Sequence, residues 1–285
     1  MLRWRLLLGT LIVASLAGLC WLDAQAREPG LWLLPIALIA AILATGETLR
    51  LLGALGMRPM PWVICSANLL IVLSGWASSL ERLMSLPKQT AAALDGAAIA
   101  TAVFALFFSE MYRYRKPGSA LANLAGGAFA IVYVGLMLRF AIWLRLLHGM
   151  AAMVSWIVVV KMGDTGAYTV GRLFGRHKMA PLISPGKTIE GALGAFLFSC
   201  LGSWVVLGWL ADGSTPWHGW LFYGLLVGGA GMMGDLAESL LKRDTGVKDS
   251  STWMPGFGGV LDILDSLLLS APVAWLCWAT GLVGK

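Results

Sequence analysis

The chain has 285 residues, of which 58% are hydrophobic and only 13% are charged, with a mean hydropathy of +0.78 and a formal net charge of +6. Soluble globular domains are about 45–50% apolar and about 25% charged. The composition therefore excludes an ordinary soluble enzyme, a disordered chain and a disulfide-stapled secreted domain. The 14 Trp residues are typical of the aromatic belts of a membrane protein. We expect an all-α polytopic membrane protein, and we expect no nucleic-acid partner despite the positive net charge.

Nine segments are apolar enough to be candidate membrane spans. A span needs about 20 apolar residues, because a helix rises 1.5 Å per residue and the hydrocarbon core is about 30 Å thick. The sixth segment is short unless its helix continues through Asp164 and Tyr168. In chain order, the predicted spans lie at residues 6–22, 31–46, 61–80, 90–108, 120–144, 149–160, 192–210, 217–234 and 258–280.

The first segment also fits a second interpretation. Arg3 and Arg5, an apolar run and then Ala24-Gln25-Ala26 describe a signal peptide with its cleavage site. The run of about 17 residues is longer than the 7–15 residues of a typical signal-peptide core. We therefore favour a retained span, and the rest of the topology is the same in either case.

Positive charges predict the orientation of the chain. If the N-terminus is cytoplasmic, the outer side holds only five of the 21 Lys and Arg residues. Arg139 lies inside a span, which leaves fifteen on the cytoplasmic side and matches the positive-inside rule. The loops that join spans six to seven and eight to nine then face the cytoplasm. The five outer residues are Arg27, Arg82, Lys88, Arg145 and Lys285.

Most acidic residues lie in residues 151–285, where we expect two cytoplasmic motif loops, whereas we expect residues 1–150 to form about five membrane helices of low motif content. Nine of the fifteen Asp and Glu residues fall between Asp164 and Asp265. Asp235 with Glu238, and Asp262 with Asp265, have the i, i+3 spacing that places both members on one helix face. Carboxylates at membrane depth are costly and mark functional sites by default. By contrast, we expect Glu47, Asp95 and Glu110 to be span-end or helix-pairing residues.

The residues around these acids indicate a site for a divalent cation and phosphate. Clustered carboxylates suit Mg²⁺, and neighbouring Lys and Arg side chains suit phosphate oxygens. The alternative is that the acids are snorkelling surface charges and the cations attract anionic lipids. The segment 184–188 lacks the first glycine of a phosphate-binding P-loop, so it is not one. The basic residues of the two cytoplasmic loops are Arg172, Arg176, Lys178, Lys187, Lys242, Arg243 and Lys248.

Two stretches resemble the signature of the phosphatidate cytidylyltransferases, the CDP-diacylglycerol synthases, over about the C-terminal 120 residues. The family pattern is S-x-[apolar]-K-R-x4-K-D, followed by a Pro, by H-G-G and by D-R-x-D. An upstream stretch from Asp164 to Gly191 is also similar to the family. Residues of this chain in register with the pattern are Ser239, Lys242, Arg243, Lys248, Asp249, Gly258, Gly259, Asp262 and Asp265.

The resemblance implies a plasma (inner) membrane enzyme that converts phosphatidate and CTP to CDP-diacylglycerol and pyrophosphate, faces the cytoplasm and forms a homodimer. It implies Mg²⁺, with a monovalent cation such as K⁺ as a second candidate, bound by Asp235, Asp262, Asp265 and Asp249. The implied catalytic residues are Asp262, Asp265, Lys248 and Asp249. The implied substrate-binding residues are Asp164, Tyr168, Arg172, Ser184, Lys187, Thr188, Glu190, Glu238, Ser239, Lys242, Arg243, Gly258 and Gly259.

Three positions depart from the family pattern, and two other functions stay open. Met254 replaces Leu, Ile or Phe, which is a trivial change. Phe257 stands where the pattern has His, and Ile263 stands where it has Arg, while every carboxylate of the pattern is retained. One alternative is a CTP-dependent kinase or cytidylyltransferase for another lipid alcohol or lipid phosphate. The other is an ion or solute transporter, which would place its acids near mid-span and carry inverted repeats.

Overall fold

The computed structural model describes residues 2–77, 79, 81, 84, 87, 89–210, 215–254 and 258–284, and side chains from residue 9 onward. Most of the described chain is helical, and its two named strands form one short β-hairpin. The hairpin makes the fold nearly all-α. Predictions that concern Arg82, Lys88, Phe257 and Lys285 lie outside the described residues.

The helices and strands follow one another in chain order, with two π-helical segments at Ile131–Leu136 and Trp204–Leu210. The strands β1 (Lys178–Ala180) and β2 (Ser184–Thr188) pair antiparallel. The helices are α1 (Leu2–Gln25), α2 (Leu34–Ala54), α3 (Pro61–Ser74), α4 (Thr90–Arg113), α5 (Ala120–Ala130), α6 (Met137–Phe174), α7 (Ile189–Ser203), α8 (Trp217–Asp244) and α9 (Val260–Ala279).

Six helical runs of the described chain are long and apolar enough to cross a membrane, so this is a multi-pass membrane protein. Two further apolar helices, Gly9–Gln25 and Pro61–Ser74, are shorter. Predicted spans five and six belong to one helical run, Ala120–Phe174, which includes α5 and α6. Within it, Gly149 has φ 86°, a left-handed conformation that interrupts the helix and that glycine adopts without a Cβ clash.

The chain divides into two compact units. The first contains residues 1–146 and 249–262, and the second contains residues 147–248 and 263–285. In the first unit, the described core is an apolar cluster contributed by α2 to α5 and the first π-helical segment. Its fully buried members are Leu52, Ile64, Ala67, Ile71, Ala102, Leu106, Ala130 and Ile131.

Buried hydrogen bonds between helices hold the second unit together. The Trp156 indole of α6 donates to the Ser270 hydroxyl of α9 at 2.9 Å. The hydroxyls of Ser155 on α6 and Tyr223 on α8 are 3.0 Å apart. Polar groups buried among apolar helices are costly unless they are paired, so these bonds fix the positions of three helices.

A buried ion pair joins α1 to α6 in the first unit. The Asp23 carboxylate is fully buried and accepts from Arg145 Nε at 2.6 Å and from the backbone N–H of Gly30 at 3.1 Å. Arg145 Nη2 also donates to the Asp23 carbonyl at 2.9 Å. The retained span stays a prediction.

We predict that breaking this pair destabilises the protein. Asp23→Ala leaves the Arg145 charge buried and uncompensated, which typically costs about 3–5 kcal/mol. Arg145→Ala should cost a similar amount, and the double variant should lose clearly less than the sum of the two. Thermal unfolding in detergent measures the losses, with the exposed Arg27→Ala as control. Strictly additive losses would contradict a direct interaction.

Candidate active site

A cavity of about 420 Å³ lies within the second unit, and it gathers residues from α6, the hairpin, α7 and α8. Apolar and small side chains form much of its wall, so charged groups stand out in it. Seven of the predicted site residues line the cavity, and they are Asp164, Tyr168, Arg172, Ser184, Lys187, Thr188 and Asp235. The structure thus brings together residues from two stretches that the sequence placed about 50 positions apart.

The C-terminal part of α6 provides one wall. The helix continues to Phe174, so the predicted extension through Asp164 and Tyr168 is confirmed, and Asp164, Tyr168 and Arg172 all line the cavity. Arg172 Nη1 donates to the Tyr168 hydroxyl at 2.6 Å, and Lys161 Nζ pairs with Asp164 Oδ2 at 3.0 Å. Both pairs are partly or fully exposed, so an anionic ligand can reach their cations.

The β-hairpin provides another part of the wall, and hydrogen bonds of Glu190 and Thr188 hold the hairpin and the start of α7 in place. The Thr188 hydroxyl caps α7 by accepting the Gly191 N–H at 3.1 Å. The Glu190 carboxylate accepts the backbone N–H of Arg176 at 3.1 Å and lies 2.6 Å from His177 Nδ1. Thr188 also lines the cavity, whereas Glu190 does not, and substrate binding by both residues stays a prediction.

Asp235, which lines the cavity, and Asp265, which does not, lie on the adjacent helices α8 and α9. A Cβ on Gly234 would collide with the Asp265 carbonyl oxygen, so the glycine lets α8 approach α9 closely. Asp235 Oδ2 pairs with Lys187 Nζ of the hairpin at 2.9 Å. The Ser266 hydroxyl lies 2.8 Å from Asp265 Oδ1 and 3.1 Å from Asp164 Oδ2. Three carboxylates of the second unit are therefore linked to two lysines and one serine.

Asp262 belongs to the first unit and fixes the start of α9. Its Oδ2 accepts the Gly259 N–H at 2.8 Å and the Ser250 N–H at 2.9 Å. Reaching back from the third helical position to the residue before the helix is one half of a capping box. Gly258 has φ 86°, and a Cβ there would meet both the Asp262 carboxylate and Asp249, so these two acids border the same glycine.

The remaining predicted residues lie on or after α8. Glu238 is fully buried and pairs with Lys242 at 2.5 Å, and the Ser239 hydroxyl donates to Asp235 Oδ1 at 3.4 Å. Arg243 Nε donates to the Ile183 carbonyl at 3.1 Å, which ties the end of α8 to the hairpin. Lys248 is exposed. Phosphate contacts by Lys242, Arg243 and Lys248 stay predictions.

Sequence reasoning missed Glu47, which was expected to be a span-end or helix-pairing residue. It is 1% exposed, and its carboxylate accepts hydrogen bonds from the motif loop 249–262. Its position on α2 is about 200 residues from that loop in sequence. An acid within an apolar run was the only available signal, and many such acids are structural.

The carboxylates present suit Mg²⁺ bound together with a substrate. Within the described ranges, no three Asp, Glu, His or Cys side chains converge as a ready-made metal site. Mg²⁺ is commonly bound through one or two carboxylates together with waters and substrate phosphates. Asp235 lines the cavity and Asp265 lies on the adjacent helix, so these two carboxylates fit the few protein ligands that such a site needs.

A cavity lined by basic residues and carboxylates, in a nearly all-α, multi-pass protein, suits an enzyme that binds anionic substrates at a membrane. The sequence model of the cytidylyltransferase family matches residues 4–280, so the chain belongs to this family. The phosphatidate cytidylyltransferase of Mycobacterium bovis is 30% identical over 276 residues, which are 94% of this chain and 87% of that protein.

Two further relatives carry the same name. The phosphatidate cytidylyltransferase of Staphylococcus saprophyticus is 30% identical over 249 residues, 86% of this chain and 88% of that protein. That of Helicobacter pylori is 39% identical over 170 residues, 59% of this chain and 60% of that protein. The similarity therefore extends over the N-terminal helices as well as the motifs, and the family predicted from the motifs is confirmed.

We predict that Lys187 contributes to nucleotide binding through the phosphates. Lys187→Ala should weaken binding of CTP about tenfold, equivalent to about 1.4 kcal/mol, because a charged hydrogen bond to phosphate is lost. Lys178→Ala is the matched control, since Lys178 is on the same hairpin, is exposed and does not line the cavity. Isothermal titration in detergent measures both affinities. Equal affinities for the two variants would contradict the assignment.

Proposed function

We propose that this protein converts phosphatidate and CTP to CDP-diacylglycerol and pyrophosphate in phospholipid synthesis. The relatives are named for this activity, and the motifs of this chain predict it. The observation that carries the proposal is the cavity of the second unit, where Lys187, Asp235, Arg172 and Asp164 line one space. Cations and carboxylates side by side fit a nucleoside triphosphate bound with a divalent ion.

The reaction needs positioning and charge neutralisation more than a dedicated base. A phosphate oxygen of phosphatidate forms a bond to the α-phosphorus of CTP, the bond from that phosphorus to the β-phosphate oxygen breaks, and pyrophosphate leaves. A phosphate monoester has a second pKa of about 6, so the attacking oxygen is largely ionised at neutral pH. Lys187 and Arg172 then hold the anionic groups in line and offset their repulsion.

The same residues suggest how substrate and ion enter together. Lys187 pairs with Asp235 at 2.9 Å, and the Asp235 side chain is partly exposed whereas the Lys187 nitrogen is buried. When nucleotide phosphates compete for Lys187, the Asp235 carboxylate becomes available to a cation. Asp235 and Asp265 would hold Mg²⁺, with Asp262 and Asp249 as further candidates and K⁺ as a second candidate ion. A bound Mg²⁺ would neutralise charge on the phosphates.

We also propose nine spans with a cytoplasmic N-terminus in the plasma (inner) membrane, and an active site that faces the cytoplasm. Dividing the run Ala120–Phe174 at Gly149 and adding the two shorter apolar helices to the six gives nine segments. The positive-inside bias supports the orientation. The homodimer, and the division of the chain near residue 150 into a helical and a catalytic region, rest on the sequence alone.

The central test is incubation with CTP, phosphatidate and Mg²⁺ in detergent, in which pyrophosphate and CDP-lipid are scored together. We expect equal amounts of both products. Asp262→Asn and Asp265→Asn should each abolish turnover while the protein still folds, because the amide keeps the shape and loses the charge that offsets Mg²⁺. A variant that retains more than about a tenth of the rate, about 1.4 kcal/mol of barrier, would not have lost a metal ligand.

The products also separate the proposal from its alternatives. Release of CDP without pyrophosphate, together with a phosphorylated lipid, would indicate a CTP-dependent kinase. Pyrophosphate and a CDP-lipid from another lipid phosphate, with none from phosphatidate, would change the substrate. Absence of any nucleotide product would contradict enzymatic function of this kind.

We predict that the hairpin faces the cytoplasm. Lys178 is exposed on β1, so a cysteine placed there in a Cys-free background is accessible from one side only. A membrane-impermeant thiol reagent should label it in inside-out vesicles and not in intact cells. As a reference for the outer side, a cysteine at position 27 should show the opposite pattern. Labelling of position 178 in intact cells would overturn the orientation.

A further inference from the structure

Glu47 of α2 lies outside the motifs, and its buried carboxylate accepts four hydrogen bonds. The Ser250 hydroxyl donates to Oε2 at 2.9 Å, and the Trp253 indole N–H donates to Oε1 at 3.1 Å. The backbone N–H groups of Val260 and Leu261 donate at 3.1 and 2.7 Å. All of these donors belong to the motif loop and the first turn of α9.

The four donors come from both ends of one segment. Ser250 and Trp253 stand at its start, and Val260 and Leu261 are the first residues of α9 at its end. The first N–H groups of a helix have no partner within the helix, and a negative charge placed there is favourable. Glu47 therefore binds both ends of this segment and caps the helix that carries Asp262.

The same contacts set the position of Asp262. The Ser250 hydroxyl lies between the two carboxylates, 2.9 Å from Glu47 Oε2 and 2.6 Å from Asp262 Oδ2. A Cβ on Gly259 would collide with the Glu47 carboxylate and with Ser250 Oγ, so only glycine fits at that point. Glu47, Ser250, Gly259 and Asp262 form a single hydrogen-bonded set.

A second contact from α2 supports the same segment. Arg50, three residues after Glu47, donates from Nη1 to the Ser251 hydroxyl at 3.2 Å. Residues at i and i+3 lie on one helix face, so one face of α2 holds two consecutive serines of the motif. The sequence stretch Ser250-Ser251 thus has partners in a helix that the family motifs do not include.

We propose that Glu47 is a positioning residue for the reaction, acting through the motif loop 249–262 without touching substrate. It orients Asp262 by fixing the first turn of α9 and the Ser250 hydroxyl. This inference rests on the proposed function, because Asp262 is a candidate metal ligand there. It assigns to α2 a role in the chemistry beyond spanning the membrane.

The test compares Glu47→Gln with a matched control, Glu110→Gln. An amide at position 47 keeps the volume but presents an NH₂ to donors that need an acceptor. Glu110 is also a buried acid of the first unit, 5% exposed, and it accepts from Asn123 at 3.0 Å rather than from the motif loop. Both substitutions remove one buried carboxylate charge, and only the first alters contacts of the loop.

Two measurements are made on each variant. Hydrogen exchange without nucleotide or Mg²⁺ follows the peptide 249–262, and we expect Glu47→Gln to raise its exchange rate about tenfold while other peptides change little. Steady-state kinetics should show kcat lowered about tenfold with the KM for CTP nearly unchanged, since no substrate contact is lost. Glu110→Gln should leave loop exchange and kcat close to wild type.

Glu47→Asp and Trp253→Phe extend the test. The shorter carboxylate should recover part of the kcat that Glu47→Gln loses, and Trp253→Phe, which deletes one of four donors, should reproduce the loss more weakly. If Glu47→Gln does not fold, Trp253→Phe decides by the same two measurements. The inference would be overturned if Glu47→Gln and Trp253→Phe kept the loop exchange rate and the kcat of the wild type. It would also be overturned if Glu110→Gln changed both quantities as much as Glu47→Gln does. An inactive wild type would overturn the proposed function. The exchange rate of the motif loop would still show whether Glu47 holds that loop in place.

Discussion

An ionised carboxylate buried among apolar helices costs several kcal/mol unless cations or hydrogen-bond donors surround it. This constraint arranges the acids described in both units. Asp95 of α4 pairs with Arg139 at 2.8 Å, and Asp23 pairs with Arg145 at 2.6 Å. Within the described part of the chain, Glu47 has no such cation among its hydrogen-bond partners and instead accepts from four donors. Each acid thereby fixes one helix or loop against another within its unit.

Exposure separates the buried ion pair of Asp23 from the ion pair of Asp164 in the cavity. In the Arg145–Asp23 pair the side chains are 9% and 0% exposed, so no ligand can reach either charge. In the Lys161–Asp164 pair they are 42% and 37% exposed. Exposed pairs contribute little to stability because solvent competes for both partners. Because the Lys161–Asp164 pair is weak, a phosphate can compete with Asp164 for the lysine. A binding site requires this competition, and a structural pair does not.

Local spacing explains what the sequence predicted and what it could not. Asp164, Tyr168 and Arg172 share a face because their i, i+4 spacing depends only on helix geometry. The approach of α8 to α9, and the reach of Glu47 to Ser250, depend on packing between residues far apart in sequence, which no local period records. The hairpin was not predicted for a related reason. Its second strand, 184–188, contains Pro and Gly and lacks the alternation typical of strands.

Although position 263 lacks the arginine of the family pattern, a lysine from another helix lies close to it in the second unit. The family pattern places an arginine between the two aspartates of α9, and Ile263 lacks its charge. Lys161 of α6 donates from Nζ to the Ile263 carbonyl at 3.3 Å while it pairs with Asp164. A cation thus stands beside the turn that carries Asp265, although it comes from another helix. Because attack by an ionised phosphate needs charge nearby rather than a particular side chain, the isoleucine is compatible with catalysis.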